Sequence, residues 1–338
     1  MKKGIKGIIV GFVVLIIGTF FFFAEICQAQ EKYLMRFSHG LPEDHSMAKQ
    51  YKEWGTLINQ RSKGALKVEI FPAAQLFKDQ EQVRAIQMGT IESGVPYTFN
   101  LAKSMPAFDV LGVPFTYYTT DQAVRILNSD VRTILDKRAE GQNIKILAYL
   151  IFAPAEGIGI LSKKPIRIPS DCIGKVFRAV DNVTASLFQF WGGGASFLSG
   201  AELYMALQRG TVDGAIGAIA QLVERKLYEV SPYLIRLPVM YTVAVICMNI
   251  DFFSKLPKEL QQVVLDVSKE VEKKSPQPAM EADIRNINIL KEKGLPLPYT
   301  PTQAEMALWE KAKHLRESSI GDEAKELLKK VDSILGKK

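Results

Sequence analysis

Strand-like and helix-like hydrophobic patterns follow one another along the first part of the chain. Residues 33–39 have the pattern of a strand, and apolar positions between 47 and 58 then recur at helical spacing behind Asp44, a helix N-cap. At residues 66–70 apolar side chains alternate with charged ones, which predicts a half-buried strand ending at Pro72. Strand, helix and strand in this order predict a βαβ unit with parallel strands and a right-handed crossover.

The same alternation continues along the chain. The elements predicted next are, by residue number, a helix at 79–88, a strand at 90–95, a helix at 120–138, and strands at 145–152, 158–161, 176–179 and 212–217. Alternation over this length predicts an α/β fold with a mostly parallel sheet. Because the pattern comes in two sets, we expect two lobes.

A long apolar run at residues 239–250 predicts a strand that crosses from one lobe to the other. After it the pattern is helical throughout, with Pro257 and Pro301 at helix starts and Gly294 and Gly336 at helix ends. The sequence has no repeats and no Gly/Ser-rich linker, so we expect strands, and not a loose tether, to join the lobes.

The N-terminus has the composition of an export signal. A basic run at residues 2–6 precedes an apolar stretch at 7–23, and small residues near Ala29 have the spacing that signal peptidase reads. We therefore expect a signal peptide at residues 1–29 and a periplasmic location. The apolar stretch is close to the length of a spanning helix, about 17 residues, so an uncleaved anchor stays an alternative. Lipid attachment at Cys27 is disfavoured because the residues before it are not small.

The remaining composition limits the partners and the chemistry. The 309 residues after position 29 are enough for two domains. The formal net charge of the whole chain, +7, is spread without a basic patch; it suits a small anionic ligand and does not indicate nucleic acid. Cys172 and Cys247 could pair in an oxidising compartment, but buried free thiols are the favoured interpretation.

No catalytic or metal-binding pattern is present in the sequence. The three histidines, His39, His45 and His314, are too far apart to resemble a zinc motif, and there is no Gly-x-Ser-x-Gly sequence. We therefore expect no metal, no cofactor and no enzymatic activity.

Arg178 is the strongest candidate for a binding residue. It lies at the end of the short predicted strand 175–179, where ligand crevices of open α/β sheets are found. A guanidinium group fits a carboxylate through two parallel hydrogen bonds. Taken alone, a structural arginine paired with Asp181 or Glu202 would be the more common case.

Arg178 and the segment 201–214 that follows it together resemble the signature of the TRAP-transporter solute-binding proteins. These proteins are the DctP-like extracytoplasmic solute receptors. The likeness covers essentially all of the mature chain. Its further matching segments are Phe37-Ser38-His39-Gly40, residues 64–72, Leu111-Gly112-Val113-Pro114-Phe115, and Lys226-Leu227-Tyr228-Glu229-Val230. The number and the order of these matches carry the resemblance.

This resemblance implies a two-lobed periplasmic binding protein fold of the α/β class, with crossing strands and a long C-terminal bracing helix. Lobe I would contain residues 31–154 and 243–282, and lobe II residues 155–242 and 283–338. An organic acid would be enclosed between the lobes and delivered to the small and large membrane subunits of an ion-gradient-driven permease. A monomer is expected. The alternatives are a receptor that presents its ligand to a signalling partner and, third, a periplasmic enzyme.

The resemblance also implies which residues bind the ligand, with Arg178 as the principal anchor. The other expected ligand-binding residues are His39, Tyr97, Thr98, Phe115, Gly200, Gly217 and Tyr241, with Thr242 as a weaker candidate. At three places where the family commonly has an arginine, an aromatic residue and an amide, this chain has Gly157, Gly200 and Gly217. We therefore expect a roomier pocket for a bulkier or more apolar acid than a C4-dicarboxylate or sialic acid. Several of the expected ligand-binding residues also have a structural alternative. His39 could be a plain hydrogen-bonded histidine, Tyr97 and Thr98 could be ordinary turn residues, and Phe115 could pack in the core.

Overall fold

The computed structural model describes residues 33–337. The predicted signal peptide, including Cys27, lies outside these residues. In the described range ten strands form two five-stranded sheets, accompanied by 14 α-helices. None of these helices is long and apolar enough to cross a membrane.

The strands are, in chain order, β1 (Tyr33–Ser38), β2 (Leu66–Phe71), β3 (Ser93–Gly94), β4 (Ile144–Ile151), β5 (Ile158–Ser162), β6 (Val176–Ala179), β7 (Gly194–Phe197), β8 (Gly214–Ala218), β9 (Tyr233–Arg236) and β10 (Val243–Asn249). The helices are α1 (Ser46–Arg61), α2 (Gln82–Gln87), α3 (Thr98–Ala102), α4 (Thr120–Leu127), α5 (Asp130–Glu140), α6 (Asn182–Phe190), α7 (Leu203–Arg209), α8 (Ile219–Glu224), α9 (Ile250–Lys255), α10 (Lys258–Lys274), α11 (Pro276–Glu292), α12 (Gln303–Trp309), α13 (Leu315–Ser318) and α14 (Asp322–Leu335).

The two sheets contain different parts of the chain. The first has the order β2-β1-β3-β10-β4 and the second the order β7-β6-β8-β5-β9. The predicted βαβ unit is confirmed, since β1 and β2 are parallel with α1 between them. The expectation of mostly parallel sheets was wrong: β10 runs antiparallel to β3 and β4, and β5 runs antiparallel to β8 and β9.

Strand β10 shows why the central strands are apolar. All seven of its residues are buried, because it lies between β3 and β4 with helices packed on the sheet. A strand covered on both faces loses the polar alternation of a half-exposed strand. The predicted strand 239–250 therefore has the right character but the wrong extent. Residues 237–242 are equally apolar, yet they lie outside both sheets, between β9 and β10.

The chain crosses between the sheets at residues 152–157 and again at 237–242, and a long helical element spans both sides. Helix α10 packs against α1 and β4 of the first sheet, while α11 packs against α8 of the second. Ser275 separates the two helices, and Pro276 starts α11 because it lacks the N–H group that a continuous helix would need. This element confirms the bracing helix. The final helix, α14, packs against residues 106–111 and α4 of the first side.

Candidate functional site

A pocket lies between the two sheets, close to both crossing segments. Asp79, Tyr97 and Phe99 line it from the first side, and Arg178, Gln221 and Arg225 line it from the second. Phe152, Ile158, Met240 and Thr242 of the crossing segments and the adjacent start of β5 complete the wall. The space open to water-sized molecules is about 40 Å³. At about 10–15 Å³ per water position, it holds roughly three waters.

Arg178 enters this pocket from the second side, where it is the third residue of β6. Its side chain is buried, with 6% of the residue exposed, and its Nε donates a hydrogen bond to the carbonyl oxygen of Leu198 at 3.0 Å. Burial and, after it, nearby Arg225 lower the pKa of Arg178 to about 10, so the guanidinium still carries its charge at neutral pH. A buried cation of this kind is stable only with an anionic or hydrogen-bonding partner.

The structural pairing considered for Arg178 does not occur in the structure. Asp181 caps α6 by accepting a hydrogen bond from the backbone N–H of Thr184 at 2.7 Å. Glu202 accepts hydrogen bonds from the hydroxyl of Ser199 at 2.6 Å and from Lys78 at 3.1 Å. Within residues 33–337 no carboxylate lies within 4.0 Å of the Arg178 guanidinium, so its outer nitrogens face the pocket without an ion-pair partner.

A second guanidinium in the pocket belongs to Arg225, which directly follows α8. Its Nη1 donates to the carbonyl oxygen of Gly200 at 2.7 Å, and its Nη2 donates to that of Gly40 at 3.3 Å. Gly40 follows β1 of the first sheet, whereas Gly200 follows β7 of the second. Arg225 therefore connects the two sides of the cleft. Its Nε is buried and has no hydrogen-bond partner in the described part of the chain.

Asp79 contributes a buried carboxylate to the same pocket. Only 7% of the residue is exposed, and its Oδ1 has no hydrogen-bond partner among residues 33–337. Burial raises the pKa of Asp79, while Arg225 and Arg178 oppose the rise. No nitrogen of either arginine is within 4.0 Å of its oxygens in this part of the structure. The pocket is thus lined by two arginines and one aspartate that form no ion pair with one another.

Four of the eight predicted site residues line this pocket: Arg178, Tyr97, Gly200 and Gly217. The weaker candidate Thr242 lines it as well. The Tyr97 ring stacks on Phe99 with the ring centroids 5.4 Å apart and meets the edge of Phe152 at 5.2 Å. These rings form an apolar part of the pocket wall.

The other four predicted residues, His39, Thr98, Phe115 and Tyr241, are buried but do not line the pocket. Nδ1 of His39 accepts a hydrogen bond from the backbone N–H of Leu41 at 3.3 Å. Burial lowers the pKa of His39 to about 4, so its ring is neutral. Thr98 is the first residue of α3, and its hydroxyl is buried within the protein. These two residues belong to the first side's core.

Phe115 and Tyr241 are core residues beside the crossing segment 237–242. Phe115 has a positive φ of 54°, and its backbone N–H donates to the carbonyl oxygen of Pro238 at 2.6 Å. The Tyr241 ring packs on Tyr117 with the centroids 5.7 Å apart. The chain turns these two side chains away from the pocket, whereas the neighbours Met240 and Thr242 face it.

The three unusual glycines do not enlarge the pocket, which corrects the expectation of a roomier site. A Cβ atom on Gly200 would lie 2.8 Å from Nη1 of Arg225, and one on Gly217 would lie 2.5 Å from Cδ1 of Leu161. A Cβ on Gly157 would overlap the carboxylate of Asp283. In each case another side chain occupies the space that the missing side chain leaves.

Sequence reasoning missed Asp79 and Arg225. In the sequence Asp79 stands only at the start of the predicted helix 79–88, and Arg225 stands directly before the matching segment 226–230. The order Lys78-Asp79 after a strand and Glu224-Arg225 at a helix end are common surface patterns. Only the fold brings positions 79, 178 and 225 together.

The cysteines and the possible metal ligands add no second site. Cys172 and Cys247 are both buried free thiols, and burial raises the pKa of Cys172 to about 12. In the described range no group of three or more His, Cys, Asp or Glu side chains could hold a metal ion.

Comparisons with known proteins agree with this geometry. The family described as "Bacterial extracellular solute-binding protein, family 7" (DctP) matches residues 37–318. The 2,3-diketo-L-gulonate-binding periplasmic protein YiaO of Escherichia coli is 26% identical, over 70% of this chain and 72% of that protein. The C4-dicarboxylate-binding periplasmic protein DctP of Rhodobacter capsulatus is 24% identical, over 83% of this chain and 84% of that protein. A crystal structure of a TRAP periplasmic solute-binding protein from Sulfurospirillum deleyianum with bound succinate superimposes with a TM-score of 0.81 at 25% identity, covering 90% of this chain and 99% of the other.

Proposed function

The chain belongs to the family 7 bacterial extracellular solute-binding proteins, the solute receptors of TRAP transporters, and we propose that it captures a small organic acid against Arg178. This proposal rests on one observation: the buried Arg178 guanidinium faces the pocket without an ion-pair partner in the described residues. A carboxylate would supply the missing charge and accept two hydrogen bonds at once. Relatives named for 2,3-diketo-L-gulonate and C4-dicarboxylates support an acid as the ligand class.

Capture would depend on closure of two lobes. We propose that the lobes comprise residues 31–154 with 243–282 and residues 155–242 with 283–338, except that α14 packs against the first lobe. A ligand that contacts Tyr97 on one side and Arg178 on the other gains both sets of contacts only when the cleft is closed. Binding therefore shifts the population towards the closed form, which a permease can distinguish from the open one.

The remaining parts of the proposal concern partners and location. The closed receptor would dock as a monomer on the small and large membrane subunits of a TRAP permease. The signal at residues 1–29 would export it to the periplasm. The family is one of binding proteins, and we propose that the ligand leaves unchanged, without a cofactor. An uncleaved N-terminus would instead favour the alternative of a receptor for a signalling partner, and turnover of the ligand would favour an enzyme.

The proposed function is tested by removing the side chain of Arg178, the proposed anchor of the acid. Losing one partner of a desolvated charge pair typically costs about 2–5 kcal/mol, so Arg178→Ala should lower the affinity for the native acid by about 30- to 4,000-fold. The acid is first identified by mass spectrometry of the compound that copurifies, and binding is measured by calorimetry. Arg209→Ala, at an exposed arginine at the end of α7, is the control. Equal affinities of a well-folded Arg178→Ala variant and the parent would reject Arg178 as the anchor.

A further inference from the structure

We propose that this pocket selects a small monocarboxylate that also carries a hydroxyl group, with Asp79 as the acceptor for that hydroxyl and Arg225 as a second cation beside the acid. This inference rests on the proposed function, because it assumes that Arg178 holds the carboxylate. It goes further by naming the class of acid and two residues that select it.

The first step is the charge of the pocket wall. Arg178, Arg225 and Asp79 are the only Asp, Glu, His, Lys or Arg side chains among the lining residues, and the two arginines favour the charged form of Asp79. With Asp79 ionised, their charges sum to one positive charge. A monoanion neutralises this charge, whereas a dianion such as succinate leaves a net negative charge in a desolvated space. Uncompensated charge is costly there because the effective dielectric constant is low. An amino acid zwitterion is also disfavoured, since its ammonium group would add a third cation.

The second step is the unsatisfied carboxylate of Asp79. An ionised carboxylate only accepts hydrogen bonds, and Oδ1 of Asp79 is buried without a donor from residues 33–337. Gly40 and Gly200 lie against this side chain, and both lack a side chain that could donate. A Cβ atom on Gly40 would overlap Oδ1, so the carboxylate fits only because position 40 is a glycine. Asp79 also lines the pocket, so a hydroxyl group of the bound molecule can donate to its carboxylate without adding charge.

The third step concerns Arg225, whose position is fixed by both sides of the cleft. Its two outer nitrogens donate to the carbonyl oxygens of Gly200 and Gly40 at 2.7 and 3.3 Å. Such a fixed guanidinium contributes its charge without moving towards the ligand. Gly200 is required for this arrangement, because a Cβ there would come within 2.8 Å of Nη1. The replacement of an expected aromatic residue by Gly200 thus makes room for Arg225 and not for a larger ligand.

The fourth step is size. The space of about 40 Å³ corresponds to roughly three waters, or an acid of a few carbon atoms. The rings of Tyr97 and Phe152 border this space, and they would contact the carbon chain of the acid. The pocket therefore fits a short hydroxy acid whose carboxylate, hydroxyl and carbon chain meet Arg178, Asp79 and the aromatic wall in turn.

The experiment compares matched acids on the purified protein after its copurifying ligand has been removed. The probes are glycolate, L-lactate, D-lactate and D-glycerate as hydroxy acids, propionate as the hydroxyl-free match of lactate, and succinate as a dianion. Dissociation constants are measured by calorimetry. We expect the best hydroxy acid to bind about 10- to 100-fold more tightly than propionate, because a hydrogen bond to a charged group is among the stronger ones. It should also bind more tightly than succinate.

Two variants connect this preference to the named residues. Asp79→Asn keeps the size of the side chain but removes its charge, so the preference for the hydroxy acid over propionate should fall at least fivefold while succinate binding improves. Arg225→Gln should weaken the hydroxy acid and propionate by the same factor, leaving their ratio unchanged. Asp322→Asn, at a surface carboxylate whose side chain is 97% exposed, is the control, and melting temperatures show that each variant is folded.

The outcomes separate this inference from the proposed function. If succinate binds most tightly, still depends on Arg178, and the hydroxy acid preference is absent or unchanged in Asp79→Asn, the inference is overturned and the organic-acid receptor stands. If an unrelated compound binds and the loss of Arg178 has no effect, the proposed function itself fails. Binding of none of the acids would count against both.

Discussion

Glu224 is the residue through which closure of the cleft can be tested most directly. It ends α8 on the second side, and its Oε2 accepts a hydrogen bond at 2.7 Å from the backbone N–H of Ser46, the first residue of α1 on the first side. Its Oε1 accepts a hydrogen bond at 2.9 Å from Nδ2 of Asn286 in α11. A carboxylate at the N-terminus of a 16-residue helix also interacts favourably with the helix dipole.

The neighbouring His45 does not add an ion pair to this contact. Its Nδ1 lies 3.3 Å from Oε2 of Glu224, but burial lowers the pKa of His45 to about 3, so the ring is neutral. The same Nδ1 accepts a hydrogen bond at 3.1 Å from the backbone N–H of Met47, which leaves no proton on it to donate. The strength of the contact therefore comes from the Glu224 bonds to Ser46 and Asn286.

Glu224→Gln should weaken ligand binding by destabilising the closed cleft. An amide has only one acceptor oxygen, so it cannot accept from both Ser46 and Asn286, and one charge-assisted hydrogen bond is lost. Hydrogen bonds to charged groups contribute about 1.5–3 kcal/mol, and the side chain of Glu224 is only 15% exposed, so screening is weak. If the ligand-free protein is mainly open, the apparent affinity should fall by about 10- to 150-fold, mostly through faster dissociation.

The assay is stopped-flow and calorimetric binding of the native acid, with small-angle X-ray scattering to follow closure. Glu229→Gln is the matched control, because Glu229 is exposed and bonds only Tyr204 on its own side, at 2.7 Å, in the described residues. The reasoning is refuted if Glu224→Gln is folded and binds with the same affinity and the same dissociation rate as the parent.

Two further predictions concern the pocket wall and pH. Gly200→Ala should lower the affinity for the native acid by about tenfold, because the new methyl group pushes the Arg225 guanidinium out of its position. The melting temperature should change little, because the methyl group meets a side-chain end and no backbone atom at close range. An unchanged calorimetric affinity would contradict this. Burial, with Glu224 and Glu156 adding to it, raises the pKa of Asp283 to about 7. The folded protein therefore binds one more proton than the unfolded chain between about pH 4 and pH 7, so this group makes the protein less stable as pH rises through that window, by a total on the order of 2–4 kcal/mol. Asp283→Asn should flatten this part of the stability profile and raise the denaturation midpoint at pH 8, and parallel profiles for variant and parent would show that the carboxyl does not titrate there.

The helices and strands that are buried on one face could be predicted, because their apolar residues recur in the sequence at a regular spacing. The alternation at residues 66–70 predicted β2, and the helical spacing between residues 47 and 58 predicted α1. The predicted N-cap of this helix was wrong by one residue: His45, and not Asp44, caps it by accepting a hydrogen bond from the backbone N–H of Met47. The period fails at residues 237–242, because this segment is buried between the sheets without being hydrogen-bonded as a strand. Its apolar residues cannot be distinguished from those of β10 by hydrophobicity alone. The sequence also does not show whether two strands pair in parallel or antiparallel, because the apolar pattern of a fully buried strand is the same in both cases.

The site was predicted only in part because its electrostatics arise from the fold. Arg178 could be found from its place at a strand end and from the family resemblance. Asp79 and Arg225 could not, since they are separated from Arg178 by long stretches of chain. The glycines at positions 157, 200 and 217 show the same limit: a sequence reveals which side chain is missing, but not which neighbour fills the space.

The break at Ser275 gives the long helical element a joint at a defined place. The hydroxyl oxygen of Ser275 accepts a hydrogen bond at 2.7 Å from the backbone N–H of Ile151, the last residue of β4. The joint therefore sits where the chain leaves the first sheet. Beyond it, the 17 residues of α11 form a lever of about 25 Å. A bend of only about 10° at Ser275 would move the far end of α11 by about 4 Å relative to α10, a displacement comparable to the diameter of a water molecule.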